Sequence, residues 1–205
     1  MLIFSRPRKI YVIGNPIIEV IQHYLPKIEK SRILESLKLK KNDYFLVTAH
    51  RSENVDNKSS LKNIFLGLEK ISKTFRKKII YPIHPRTMSK INKLEIPKGI
   101  KLINPLGFFD FSKLEKNAFC LITDSGTIPE ESLFFQKPCV TIRNTTERPE
   151  IIEAGSNILS GLSPENILQS TQTITSRKPD WQWNKALGDG KTARKVLNIL
   201  GGSLY

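Results

Sequence analysis

Seven short apolar runs, at 10–14, 44–49, 78–83, 100–104, 119–123, 139–142 and 157–160, alternate along this chain with longer amphipathic stretches. A short run that is apolar at nearly every position suits a strand covered on both faces. Strands of that kind lie parallel and need a helical crossover between neighbours. The alternation therefore predicts an α/β fold, a Rossmann-like parallel sheet flanked by helices. Helix starts are legible between the runs. Ser31 reads as a cap for residues 32–39, and Ser59 as the opening of a helix to Phe75 with Leu61, Ile64, Phe65, Leu68 and Ile71 at helical spacing. Asp110 opens 111–118, Thr127 begins another helix, Ser163 with Pro164 begins a further one, and a final helix spans 191–200.

With 205 residues and 39% hydrophobic content the chain can bury a full core. No apolar run approaches the roughly 20 residues of a membrane span, and the apolar stretch at the start is too short for a secretory signal, which points to the cytoplasm. Cys120 and Cys139 sit in apolar runs, read as buried reduced thiols, and have no metal-ligand spacing around them. The formal net charge of +14 invites a nucleic-acid reading. Its excess is mostly lysine, 23 against 10 arginines, scattered without aromatic interleaving. Solvated helix faces account for it, with attraction of some polyanion, including a phosphorylated small molecule, as the alternative; no nucleic-acid or membrane partner is expected.

Ligands of doubly wound sheets bind at the carboxyl ends of the strands, so the motifs there carry the functional reading. Four stand out: TAHRSEN (48–54), YPIHPR (81–86), TDSGTIPEES (123–132) and TIRNTTERPE (141–150). Ser125 and Gly126 offer backbone N–H groups at a helix start, which suits a phosphate. Glu130 and Glu131, a turn further on, suit the hydroxyls of a ribose. The competing reading is structural: Asp124 or Ser125 caps the helix and the glutamates complement its dipole. His50, Arg51 and Arg148 supply cations that would face the same diphosphate.

The ordered set GNP (14–16), TAHRSEN, YPIHPR, LITDSGTIPEE, TERPE (146–150), EAGSN (153–157) and GDGK (188–191) resembles the non-hydrolysing UDP-N-acetylglucosamine 2-epimerase family from residue 10 onward. The resemblance implies the C-terminal half of a GT-B fold. It divides the chain into a short leader at 1–9, a UDP-binding Rossmann-like domain at 10–187, and a C-terminal helix at 188–205 that would cross back to an N-terminal domain. By position, it implies His50 and Arg148 at the diphosphate, Ser125 and Gly126 binding it at the helix start, Glu131 on the ribose, and the backbone around Phe111 receiving uracil. Arg51 matches a position near the cleft, and His84 one associated with a regulatory UDP-sugar in some members. Asp124 is assigned to orienting the turn. The implied reaction eliminates UDP to give 2-acetamidoglucal and adds it back with inversion at C2, without metal or cofactor, serving cell-surface polysaccharide synthesis.

HRSEN stands where HRREN or HREEN is usual, and SGTIPEE where many members have SGGIQEE; this resembles a subgroup acting on varied UDP-N-acetyl-sugars. The carboxylates proposed as acid and base in the family fall in the N-terminal half. The expectation is thus a truncated or split UDP-sugar-binding half, inactive alone, that works with a separately encoded N-terminal half or descends from a split gene, with homo-oligomerisation left open. The alternative is a non-catalytic UDP-binding or interaction module.

Overall fold

The computed structural model describes residues 11–91, 95–183 and 187–202. Its strands are β1 (Tyr44–Thr48), β2 (Lys78–Pro82), β3 (Ile100–Ile103), β4 (Cys120–Thr123), β5 (Cys139–Thr141) and β6 (Asn157–Leu159). Its helices are α1 (Pro16–Lys30), α2 (Ile33–Ser36), α3 (Ser52–Val55), α4 (Lys58–Phe75), α5 (Pro85–Ile91), α6 (Phe108–Asn117), α7 (Ile128–Phe134), α8 (Pro149–Glu153), α9 (Pro164–Thr175) and α10 (Thr192–Gly202). All six strands are parallel, in the order β3-β2-β1-β4-β5-β6. This is the doubly wound, Rossmann-like arrangement. The chain winds outward from β1 to β3, returns to the centre, and winds the other way from β4, so the direction reverses between β1 and β4.

Alternation along β1 divides the core between the two faces. Phe45 and Val47 pack with Leu61, Ile64, Leu68 and Ile71 of α4 and Ile167 and Ile174 of α9. Tyr44 and Leu46 pack with Leu114 and Ala118 on the other face, beside Ile128. Burial of one such side chain contributes about 1.5–3 kcal/mol. Gly67 lets α4 and α9 close together, since a Cβ there would lie 3.0 Å from Ile167 Cδ1. Cys120 and Cys139 are free, buried thiols in neighbouring strands, and burial pushes the Cys139 thiol up to about 12.

Six of the seven expected strands form, and the first does not. The leader at 1–9 and Ile10 lie outside the described residues, while 11–15 is not a strand and leaves Tyr11 52% and Val12 81% exposed. The segment runs beside the C-terminal passage instead of the sheet. The Asn15 N–H donates to Leu187 O at 2.9 Å, and the Thr192 hydroxyl to Ile13 O at 3.2 Å.

Sequence reading also passed over α1. Asn15 caps it, accepting the Ile17 N–H, Pro16 occupies its first turn, and Ile18, Ile21 and Ile28 face inward. Pro26, which removes the donor to the Gln22 carbonyl, reads as a breaker, yet the helix continues through it.

Two caps differ from expectation. Asn57, not Ser59, caps α4 by accepting the amides of Ser59 and Ser60. Gly107, not Asp110, precedes α6, whose first turn contains Asp110, and the region after Ser31 shortens to the single turn α2. Leu197 and Leu200 of α10 are 69% and 58% exposed. Among the described residues no helix is long and apolar enough to cross a membrane.

Candidate nucleotide site at the strand-order switch

The carboxyl ends of β1 and β4 lie side by side where the winding reverses. From β1 the chain enters Ala49-His50-Arg51, and from β4 it enters Asp124-Ser125-Gly126. Asp124 is fully buried and joins these turns. Its Oδ2 accepts the backbone N–H groups of His50 and Arg51, both at 2.9 Å, and the side-chain amide of Asn54 at 3.1 Å. From the β2 side, the Tyr81 and Thr87 hydroxyls donate to Ala49 O at 2.6 and 2.8 Å. Burial, with Asp124 nearby, pushes the Tyr81 phenol far up, so it stays a donor. The backbone carrying His50 and Arg51 is therefore held from both sides before any ligand arrives.

Above these turns a cleft of about 220 Å³ is lined by His50, His84, Phe111 and Ile128, with Pro82 and Pro105 at the ends of the neighbouring strands. His50 and His84 face each other with ring centroids 5.6 Å apart, and His84 Nδ1 accepts the Arg86 N–H at 3.2 Å. Three residues named from sequence thus share one cavity. Arg51, Ser125, Gly126, Glu131 and Arg148 do not line it.

The polar residues extend along the switch. A Cβ on Gly126 would lie 3.6 Å from Arg51 Nη2, so the guanidinium sits over that glycine. Arg51 Nη1 is also 3.7 Å from Glu147 Oε1. Glu147 takes a two-pronged pair from the buried Arg143, at 2.8 and 2.6 Å, which holds the Glu147 carboxyl down at about 2. The two amides expected to be open at the turn differ. The Ser125 N–H already donates to Thr123 Oγ1 at 2.9 Å, whereas the Gly126 N–H has no partner among the described residues.

Arg148, 46% exposed at the start of α8, pairs through Nε with Glu130 Oε1 at 2.6 Å. Glu130 is buried, and its Oε2 accepts the Asn15 side-chain amide at 2.6 Å. This Asn15–Glu130–Arg148 chain was not read from sequence; the available signal was Asn15 within GNP, ahead of a helix cap. Glu130 is committed to Arg148, so Glu131 is the freer of the two acids. It is 7% exposed, a turn in from Ile128, and its carboxyl is raised mainly by burial.

The profile of the family described as UDP-N-acetylglucosamine 2-epimerase matches residues 4–201. The chain belongs to the UDP-N-acetylglucosamine 2-epimerase family. Among its relatives, the UDP-N-acetylglucosamine 2-epimerase of Methanococcus maripaludis is 43% identical over 203 residues, covering 95% of this chain and 55% of that protein. The UDP-2,3-diacetamido-2,3-dideoxy-D-glucuronate 2-epimerase of Pseudomonas aeruginosa is 34% identical over 159 residues, covering 77% of this chain and 44% of that one. A crystal structure of the Methanocaldococcus jannaschii UDP-GlcNAc 2-epimerase, in complex with UDP-GlcNAc and UDP, superposes with a TM-score of 0.86 at 40% identity. It matches 94% of this chain and 55% of that one. This epimerase-family chain therefore spans about half the length of the curated relatives it matches, and its fold is that of one Rossmann-like half of a GT-B epimerase.

Proposed function

We propose that this span binds a UDP-sugar across the β1/β4 switch and serves as the nucleotide-holding wall of a C2 epimerase of UDP-N-acetyl-hexosamines. The reading rests on one observation above all: the buried Asp124 carboxylate ties the His50-Arg51 turn to the Ser125-Gly126 turn, beside a cleft lined by Phe111. Uracil fits the Phe111 end of the cleft, and Glu131 accepts the ribose hydroxyls. The diphosphate meets Arg51, Arg148, His50, the Gly126 N–H and the Ser125 hydroxyl. The family relation supports this assignment, and the varied UDP-sugars of the relatives leave the hexosamine itself open.

Epimerisation by loss and return of UDP needs groups on both faces of C2, each within about 3 Å. A sugar extending from this diphosphate points away from the sheet, where His50 is the near titratable group, and one imidazole serves one face. The second face belongs to an N-terminal half, so we propose that this span alone binds but does not turn over. His84, whose ring lies tilted beside that of His50, is proposed for a regulatory UDP-sugar.

Two measurements test the reading. Calorimetric titration should detect UDP binding to the folded chain at millimolar ligand or below; a flat titration sinks the site assignment. Deuterium incorporation at C2 of UDP-N-acetylglucosamine in heavy water should require an added N-terminal half. Exchange by this span alone, lost in His50→Ala, would show that it carries both faces itself.

A further inference from the structure

On α6, Phe111 and Glu115 are four residues apart and share a face; on α7, Ile128 and Glu131 are three apart and do the same. The first of each pair lines the cleft, and the second of each pair meets one turn deeper, carboxyl to carboxyl. Glu115 is 0% exposed, and neither of its oxygens accepts a hydrogen bond from any donor among the described residues. Its polar surroundings are the Glu131 carboxyl on α7, the Tyr44 phenol on β1 and the Cys139 thiol on β5. Glu130, itself paired with Arg148, also bears on Glu131, and no cation among the described residues pairs with Glu115 or Glu131.

Two carboxylates sharing an apolar pocket cannot both stay ionised, because neither the lost hydration nor the mutual repulsion is compensated. One of them keeps a proton, and the environments decide which. Glu115 is sealed in, with no donor to stabilise a charge. Glu131 keeps a little solvent access, and the nearby Thr127 hydroxyl lowers its carboxyl. With the proton on Glu115, its O–H becomes a donor to Glu131, and the other oxygen is left as a neutral carbonyl, which costs far less to bury unpaired than a carboxylate does.

We propose that Glu115 is a positioning residue, a neutral carboxylic acid whose O–H donates to Glu131 and so holds that carboxylate with its remaining lone pairs turned toward the nucleotide's ribose hydroxyls. The second half of this statement rests on the UDP reading above; the first does not. Burial raises both carboxyls, Glu115 more strongly, which agrees with the proton's place. UDP affinity is then bounded on two sides. As pH falls, Glu131 gains a proton and loses acceptor strength; as pH rises, Glu115 loses its proton and the two charges repel.

Infrared difference spectroscopy of the unliganded protein reads the proton directly. At neutral pH the wild type should show the carbonyl band of a buried carboxylic acid, retained in Glu131→Gln and absent in Glu115→Gln. No such band in the wild type, or a band that survives Glu115→Gln, overturns the assignment whether or not UDP binds. The positioning role is read by comparing UDP with 2′,3′-dideoxy-UDP. Glu115→Met, which keeps the length and deletes the donor, should lower UDP affinity about tenfold, the range for one hydrogen bond to a charged group. The dideoxy analogue should be unaffected, and Glu115→Gln, whose amide still donates, should restore UDP binding and remove the alkaline limb of its pH profile. Equal losses for both ligands, or no rescue by Gln, reduce Glu115 to packing. Absence of UDP binding by the wild type ends the ribose half together with the reading it rests on, while the infrared band still decides the proton.

Discussion

The Asp124 carboxylate accepts the backbone N–H of Arg51 at 2.9 Å, so the turn after β4 holds the turn after β1 in place. A side chain from one half of the winding thereby sets the backbone of the other, and the two cannot shift independently.

Asp124→Ala should be costly for that reason. It strands the amides of His50, Arg51 and Asn54 in a buried site, and we expect a loss of about 2–4 kcal/mol in chemical denaturation, from bonds to a charged acceptor worth about 1.5–3 kcal/mol each. A loss below about 0.5 kcal/mol, typical of surface changes, would mean that the turns are held by something else.

Arg148→Ala and Glu131→Ala should each weaken UDP binding by about 1–3 kcal/mol in calorimetry. Arg148→Ala has a second effect, because it leaves the buried Glu130 with Asn15 as its remaining partner, so stability should fall as well. Unchanged affinity in both variants would remove these residues from the site.

Glu29 joins α1 to α6 through Lys113, at 2.6 Å, and Lys116, and hydrogen bonds from these lysines lower its carboxyl from 4.5 to about 2. A carboxyl depressed on folding contributes stability that is fully present above its unfolded value and is lost as pH falls through the folded one. Glu29→Gln should therefore cost little at neutral pH, under about 1 kcal/mol for so exposed a pair, and the gap to wild type should close between 4.5 and about 2. A gap that persists unchanged at the acid end would assign the cost to packing.

Leu197→Ser in α10 should leave stability within about 0.5 kcal/mol, whereas Leu68→Ala in α4 should cost about 2–5 kcal/mol. The two leucines lie at opposite extremes of burial, 69% against 0% exposed, and thermal melts of the pair compare them directly. A large loss from Leu197→Ser would reveal a partner for that face within the isolated chain.

Much of this was legible because it is local. Apolar runs such as 44–49 and 119–123 announce buried strands, and the strand-end motifs pointed to His50 and the Asp124 turn, whereas Phe111 came only from the family resemblance. Other features depend on docking between distant segments. Pro26 obscured α1, since proline signals a break unless tertiary packing overrides it. The run 10–14 has strand composition, but its neighbour is the passage at 187–192 instead of a sheet edge. Glu115, in an amphipathic sequence, reads as a solvated face. Only the approach of α7 shows that it is sealed against Glu131.

Gly14 has φ +85°, and a Cβ there would lie 2.4 Å from Gly188 Cα, so the backbone of the GNP passage touches that of the GDGK passage. Gly14→Ala should consequently cost more than about 1 kcal/mol, against almost nothing for Gly201→Ala, whose added Cβ meets only open space. In mechanical terms, two connections fastened side by side, by this glycine contact and by the Asn15–Leu187 and Thr192–Ile13 hydrogen bonds, make one hinge. A body attached through both would have its rotation largely confined to an axis near Gly14 and Gly188, and would open and close over the switch like a jaw instead of sliding across it.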